Sequence, residues 1–120
     1  MARILVVDDS ATMLTATTNI LKSGGHEVIS ASSGEEGIEK AMSERPALIF
    51  MDVVMPGMSG FEATRKLTSS PETSDIPVII LTTKDQETDK VWAERQGASD
   101  FFTKPPNEAK LLERVKNLLG

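Results

Sequence analysis

The chain has 120 residues, 39% of them hydrophobic and 26% charged, which suits one domain with a hydrophobic core and is too short for two. No apolar run approaches the roughly 20 residues that cross a bilayer, the first residues lack a signal peptide's apolar stretch and cleavage site, and the absence of cysteine excludes disulfides and thiolate metal sites; a cytoplasmic protein without membrane insertion is expected. Thirteen basic residues, scattered among eighteen acidic ones, give a net charge of −5 and argue against direct nucleic-acid contact, which needs clustered Lys and Arg on phosphates.

Ile4-Leu5-Val6-Val7 is a continuous apolar run rich in β-branched residues and predicts a first strand, closed by Asp8-Asp9-Ser10. Leu14, Thr18 and Leu21 then share one helical face, and Gly24-Gly25 supplies a stop. Val28-Ile29 marks a second strand. Ser33-Gly34-Glu35-Glu36 reads as a capping box opening a second helix, which carries Ile38, Ala41 and Met42. Ala47-Leu48-Ile49-Phe50-Met51 is the third strand, and Ser59-Gly60-Phe61-Glu62 a second box of the same S-x-x-E form. Residues 69–77 read as a surface loop before a fourth strand at Val78-Ile79-Ile80-Leu81. Residues 85–96 form a polar helix ending at Gly97, with Val91 and Trp92 as its large apolar residues; Trp92 is expected to pack on the sheet. A weaker strand at Asp100-Phe101-Phe102-Thr103 precedes a last helix after Pro106-Asn107, with Leu111, Leu112, Val115, Leu118 and Leu119.

Five strand–helix repeats without a linker predict a single α/β domain over residues 1–120, a three-layer (βα)5 sandwich with right-handed crossovers. Strands that are apolar throughout predict a parallel sheet covered on both faces. A Rossmann order is open, but five strands favour the flavodoxin-like order 2-1-3-4-5, which is known from folds of this size and is not dictated by strand count.

Ligands of open α/β sheets bind beyond the carboxyl ends of the strands. Asp8 and Asp9 end the first run, Asp52 the third, Thr82 the fourth and Lys104 the fifth, so all five should converge on one cleft. Singly, each has a plainer reading. Asp8 or Asp9 could cap a helix, Asp52 could open the turn before Pro56-Gly57, Thr82 could be a strand-end hydroxyl and Lys104 a solvated charge. Coincidence at one sheet edge favours a shared role. Two carboxylates about 4 Å apart repel by roughly 4 kcal/mol at an effective dielectric near 20. Three with a single Lys therefore call for a cation, and carboxylates without His or Cys select a hard one such as Mg²⁺, with Mn²⁺ as an alternative. The only His, His26, belongs to the opposite end of the second strand and is expected at the surface. A metal-held carboxylate is a competent nucleophile toward phosphorus, and an ionised Asp52 needs no general base. Phosphoryl transfer asks mainly for positioning and charge neutralisation, which Lys104 and the Thr82 hydroxyl can add.

The pieces Val7-Asp8-Asp9-Ser10, Met51-Asp52-Val53-Val54-Met55-Pro56-Gly57-Met58-Ser59-Gly60, Leu81-Thr82, Gly97-Ala98 and Thr103-Lys104-Pro105 resemble the CheY-like receiver domains of two-component response regulators across essentially the whole chain. The resemblance implies phosphorylation of Asp52 by a phosphohistidine of a kinase or histidine phosphotransfer domain. It implies Mg²⁺ held by Asp9, Asp52 and the Val54 carbonyl, with Asp8 acting mainly through water, and a cis bond before Pro105. Thr82 and Phe101 fall on the two switch positions, and the responding surface would be the fourth helix, fifth strand and fifth helix. Phe101 lacks the hydroxyl of the Tyr found in many relatives, so switching there rests on ring packing. Val54 and Lys84 occupy positions that tune dephosphorylation and leave the phosphate lifetime open, while Pro106 stiffens the last loop. Residues 76–98, with Thr82-Thr83-Lys84-Asp85-Gln86-Glu87-Thr88-Asp89-Lys90-Val91-Trp92, are similar to the single-domain regulators of type IV pilus twitching motility, which belong to a chemotaxis-like pathway with a CheA-like histidine kinase.

The expectation is a stand-alone phosphoacceptor, not an enzyme, acting by protein contact or by draining phosphate from a shared kinase. A truncated DNA-binding regulator and a CheY-like chemotaxis regulator are the alternatives. An FMN carrier would need a Ser/Thr/Gly-rich phosphate loop where Asp8-Asp9 stands. A phosphatase using an aspartyl phosphate would place an acid at Val54, and no G-x-x-x-x-G-K-[ST] segment is present for a P-loop enzyme.

Overall fold

The apolar runs become strands because each is flanked by packed helices. A computed structural model describes residues 2–83 and 86–120. In chain order the elements are β1 (Arg3–Val7), α1 (Ala11–Ser23), β2 (Glu27–Ala31), α2 (Gly34–Glu44), β3 (Leu48–Met51), α3 (Gly60–Ser69), β4 (Val78–Thr82), α4 (Glu87–Arg95), β5 (Asp100–Thr103) and α5 (Glu108–Leu119). The sheet is parallel, in the order β2-β1-β3-β4-β5, as expected of the flavodoxin-like class.

Alternate residues of the central strands feed two cores. Leu5, Val7, Ile49, Met51 and Ile80 meet Ala41 of α2, Ala63 and Leu67 of α3 and Ala93 of α4. Ile4, Val6, Phe50, Ile79 and Leu81 meet Leu21 of α1 and Leu111 and Val115 of α5. Burial on both faces is why these strands show no polar alternation. The edge strands β2 and β5 are only partly covered.

Local chemistry sets the helix starts. Ser10, Ser33, Ser59 and Asn107 each accept the backbone N–H three residues on, which offsets an orphan donor of the first turn. The box at Ser33 closes differently from expectation. The Glu36 carboxylate reaches past Ser33 to the N–H of Ser32 at 2.7 Å and to its hydroxyl at 3.1 Å. In α1 the buried threonine is Thr17 rather than Thr18. The expected helix at residues 85–96 is described from Gln86, whose N–H donates to the Asp89 carboxylate at 3.2 Å; Lys84 and Asp85 lie outside the described residues.

Trp92 is half exposed, contrary to the expectation that it packs on the sheet. Helix α4 approaches the sheet through the small Ala93, with Gln96 buried one turn later, and this rotation turns Val91 and Trp92 outward. His26 is at the expected sheet end, just before β2, but is half-buried, with its Nδ1 enclosed.

Candidate functional site

Register brings the site together. Val7 pairs with Met51 across β1 and β3, so Asp8 and Asp52 each stand one residue beyond a matched pair on neighbouring strands. Adjacent strands lie about 4.8 Å apart, which brings the two carboxylates side by side. Thr82 pairs with Thr103 across β4 and β5, and Lys104 follows at once. Ladder bonds persist past the strand ends: Asp8 N–H to the Ala31 carbonyl, Asp52 N–H to Val7 and Lys104 N–H to Thr82, at 3.0, 3.0 and 2.7 Å. The backbone beneath the polar groups is thus held as firmly as the sheet. The Lys104–Pro105 peptide is cis.

Asp8 and Asp52 are 3% and 8% exposed and Thr82 is fully buried, whereas Asp9 faces solvent. The buried Lys104 ammonium pairs with Asp8 Oδ2 and lies 3.5 Å from Asp52 Oδ1. Asp8 Oδ1 accepts the Ser10 N–H, and Asp52 Oδ1 accepts the Val53 N–H, each at 2.9 Å. Burial raises the Asp52 pKa above the usual carboxylate range; Lys104 opposes this, the Asp8 charge adds to it, and bonds from the Val53 N–H and the Thr82 hydroxyl pull it down. One ammonium therefore does not fully compensate the acidic cluster.

Asp8, Asp9 and Asp52 each offer a carboxylate oxygen, all within 4.8 Å of one another. That all-oxygen set fits a hard divalent cation, and such a cation would relieve the penalty on ionising Asp52. Val54, two residues past Asp52, is 57% exposed, and Phe101 is half-buried against the core beneath α2, α3 and α4.

Gly60, which the sequence places in a capping box and at the end of the receiver-like stretch, also has a role in the site that neither pattern explains. A Cβ there would lie 1.8 Å from the Asp52 carbonyl oxygen and 2.8 Å from Val53 Cα. Its N–H donates to the Val53 carbonyl at 2.9 Å. The start of α3 therefore rests directly on the backbone that carries Asp52. In the sequence Gly60 follows a helix cap and ends the receiver-like stretch, but neither pattern announces that another backbone crosses it.

Residues 4–116 match the response regulator receiver domain family. Over 120 residues the chain is 55% identical to Protein PilH of Pseudomonas aeruginosa, covering all of this chain and 99% of that protein. It is 40% identical over 117 residues to the alkaline phosphatase synthesis transcriptional regulatory protein PhoP of Bacillus subtilis, covering 98% of this chain but 48% of PhoP. Among solved structures, the chemotaxis protein CheY4 of Vibrio cholerae superposes with a TM-score of 0.91 at 33% identity and covers 99% of both chains. A response regulator from Chloroflexus aurantiacus gives 0.94 at 31% identity, over 98% of this chain and 97% of that one. Among the described residues no helix is long and apolar enough to cross a membrane. With an acidic cluster at the carboxyl edge of a 2-1-3-4-5 sheet and matches of this extent, the chain belongs to the response regulator receiver domains of two-component signalling.

Proposed function

We propose that Asp52 is the phosphoacceptor and that the chain is a single receiver domain working with Mg²⁺. Asp9, Asp52 and the Val54 carbonyl would hold the ion, with Asp8 contributing through water; Mn²⁺ would substitute. The bound ion supplies positive charge that offsets the carboxylates and the incoming phosphoryl oxygens. Asp52 Oδ2 attacks phosphorus, and the bond to the donor nitrogen of a phosphohistidine breaks. Lys104 leaves its ion pair to take one phosphoryl oxygen, and the Thr82 hydroxyl takes another. The observation that carries this reading is the burial of Asp52 beside Asp8, Thr82 and Lys104 with its pKa raised, a carboxylate held in place but under-compensated.

The donor would be a CheA-like histidine kinase or a histidine phosphotransfer domain. The similarity to PilH along the whole of both chains supports a role in a type IV pilus twitching pathway, by protein contact or as a phosphate sink. The effector would read α4, β5 and α5, with Thr82 and the half-buried Phe101 ring coupling the phosphate to that face. Val54 would influence phosphate lifetime; Lys84, the other tuning position, lies outside the described residues.

Acetyl phosphate with Mg²⁺ should add one phosphoryl group, measured by intact mass, and Asp52→Asn should abolish the gain. Undiminished labelling of that variant would remove Asp52 from the role. Asp9→Ala should weaken Mg²⁺ affinity strongly; unchanged affinity would place the ion elsewhere.

A further inference from the structure

Helix α4 carries its large apolar side chains on the outside: Val91 is 45% and Trp92 51% exposed. Thr88, Val91, Trp92 and Arg95 follow the i, i+3, i+4, i+7 spacing and form one stripe. A shallow depression runs along this stripe, and a second, strongly apolar one continues from Trp92 toward Phe61 and Val53. Both lie away from the depression beside β5, which is lined by Lys90, Glu94 and Phe101. An exposed aromatic in a continuous apolar patch marks a contact surface more often than isolated exposed apolar residues do.

The charges at the two ends of the stripe indicate what covers it. Glu87 sits in the first turn of α4 and Arg95 in the last. Glu87 pairs with Lys90 at 3.7 Å and is 87% exposed, and Arg95 lies over the Trp92 ring at 5.7 Å. A two-fold axis through the middle of the stripe, near Val91 and Trp92, would set Glu87 of each copy against Arg95 of the other and stack the apolar residues between them. The antiparallel helix dipoles would oppose favourably as well. A pattern that reads the same after such a rotation is what an isologous contact requires. A uniformly acidic or basic partner helix would meet like charge at one end.

We propose that the Thr88–Val91–Trp92–Arg95 stripe of α4 docks a second copy of this chain in an antiparallel two-fold contact. A nine-residue helix is about 13 Å long, so the contact falls at the small, transient end of protein interfaces. Association is therefore weak and grows with concentration. Because the side of α4 toward β5 is left uncovered, a dimer keeps that side open to other partners.

Sedimentation equilibrium of the whole chain, from micromolar to millimolar concentration, tests this. The average mass should rise toward twice that of the monomer, and Trp92→Glu should keep the chain monomeric. Glu87→Arg and Arg95→Glu should each weaken association about tenfold, since each turns two attractive rim pairs repulsive. The double variant Glu87→Arg/Arg95→Glu should regain most of the wild-type association. All three positions are solvent-facing, so circular dichroism should show native folding in all four variants. A wild-type chain that stays monomeric, a dimer indifferent to the single reversals, or a double variant that fails to recover would each overturn the proposal.

Discussion

Replacing Gly60 with alanine should damage the site from beneath without touching a polar group. The added Cβ would sit 1.8 Å from the Asp52 carbonyl oxygen, where contacts below 3.0 Å essentially never occur, so the backbones must part by at least about 1.2 Å. All three nearest atoms, Asp52 O, Asp52 C and Val53 Cα, belong to the main chain that the bond from Asp52 N–H to Val7 ties to the sheet edge, and none can swing aside as a side chain would. Overpacking against yielding side chains already costs about 1–3 kcal/mol, and the gain from Ala over Gly in a helix is at most about 1 kcal/mol. A backbone clash lies at or beyond the top of that range, so a net loss of at least about 2 kcal/mol follows, which for this length lowers Tm by about 8 °C or more. Molecules that remain folded carry Asp52 displaced by about 1 Å, and such misplacement costs on the order of a hundredfold in rate. Thermal unfolding by circular dichroism and the rate of labelling by acetyl phosphate measure the two effects. Gly37→Ala is the control: the nearest atoms its Cβ would meet are those of the Val7 side chain, from 2.8 Å, not a main chain, and it should cost less. A Gly60→Ala protein with wild-type Tm and labelling rate would refute the reasoning.

Other changes probe the electrostatics. The raised pKa of Asp52 means that the contribution of this one carboxyl to stability is full below its unfolded pKa and is lost as pH rises through the native one, so Asp52→Asn should stabilise the metal-free protein at neutral pH, seen as a higher urea midpoint in chelator. Adding Mg²⁺ should raise the wild-type midpoint and leave that of Asp52→Asn nearly unchanged. Lys104→Ala removes the buried partner of Asp8 and the neighbour of Asp52, and should cost about 3–5 kcal/mol in chelator, partly recovered with Mg²⁺. Glu36 has its pKa lowered, first by the Ser32 N–H and then by the Lys40 side chain. Its small contribution is therefore present above the ordinary glutamate pKa and lost as pH falls through the native value, which carboxyl NMR titration should place below the usual range.

Much of the architecture was legible because β1, β3 and β4 are apolar on both faces and stop at polar residues. Strand β2 was legible only in part. Val28 and Ile29 mark its centre, but pairing from Arg3↔Glu27 to Val7↔Ala31 sets its length, and that information lies in β1. Asp8, Asp52, Thr82 and Lys104 could be grouped from sequence because a parallel sheet brings strand ends to one edge, and the register carries that logic into three dimensions. Three features escaped local patterns. Trp92 turned outward because the packing face of α4 is set by Ala93, a residue too small to stand out in a polar helix. Glu36 chose Ser32 over Ser33 because the box rule counts residues and not the direction of the entering chain. Gly60 is constrained by a backbone eight positions earlier in the chain, a contact that no periodicity encodes.

The central claim is that the phosphoryl group resides on the buried carboxylate at the end of β3. It is tested most directly by labelling the protein with acetyl phosphate and Mg²⁺, reducing the acyl phosphate with borohydride, and sequencing the peptides by mass spectrometry. Reduction converts a phosphorylated aspartate to homoserine and leaves free carboxylates unchanged. Homoserine at position 52, absent when Mg²⁺ is chelated, is the result expected. Homoserine at Asp8 or Asp9, or phosphate retained on His26, would contradict it.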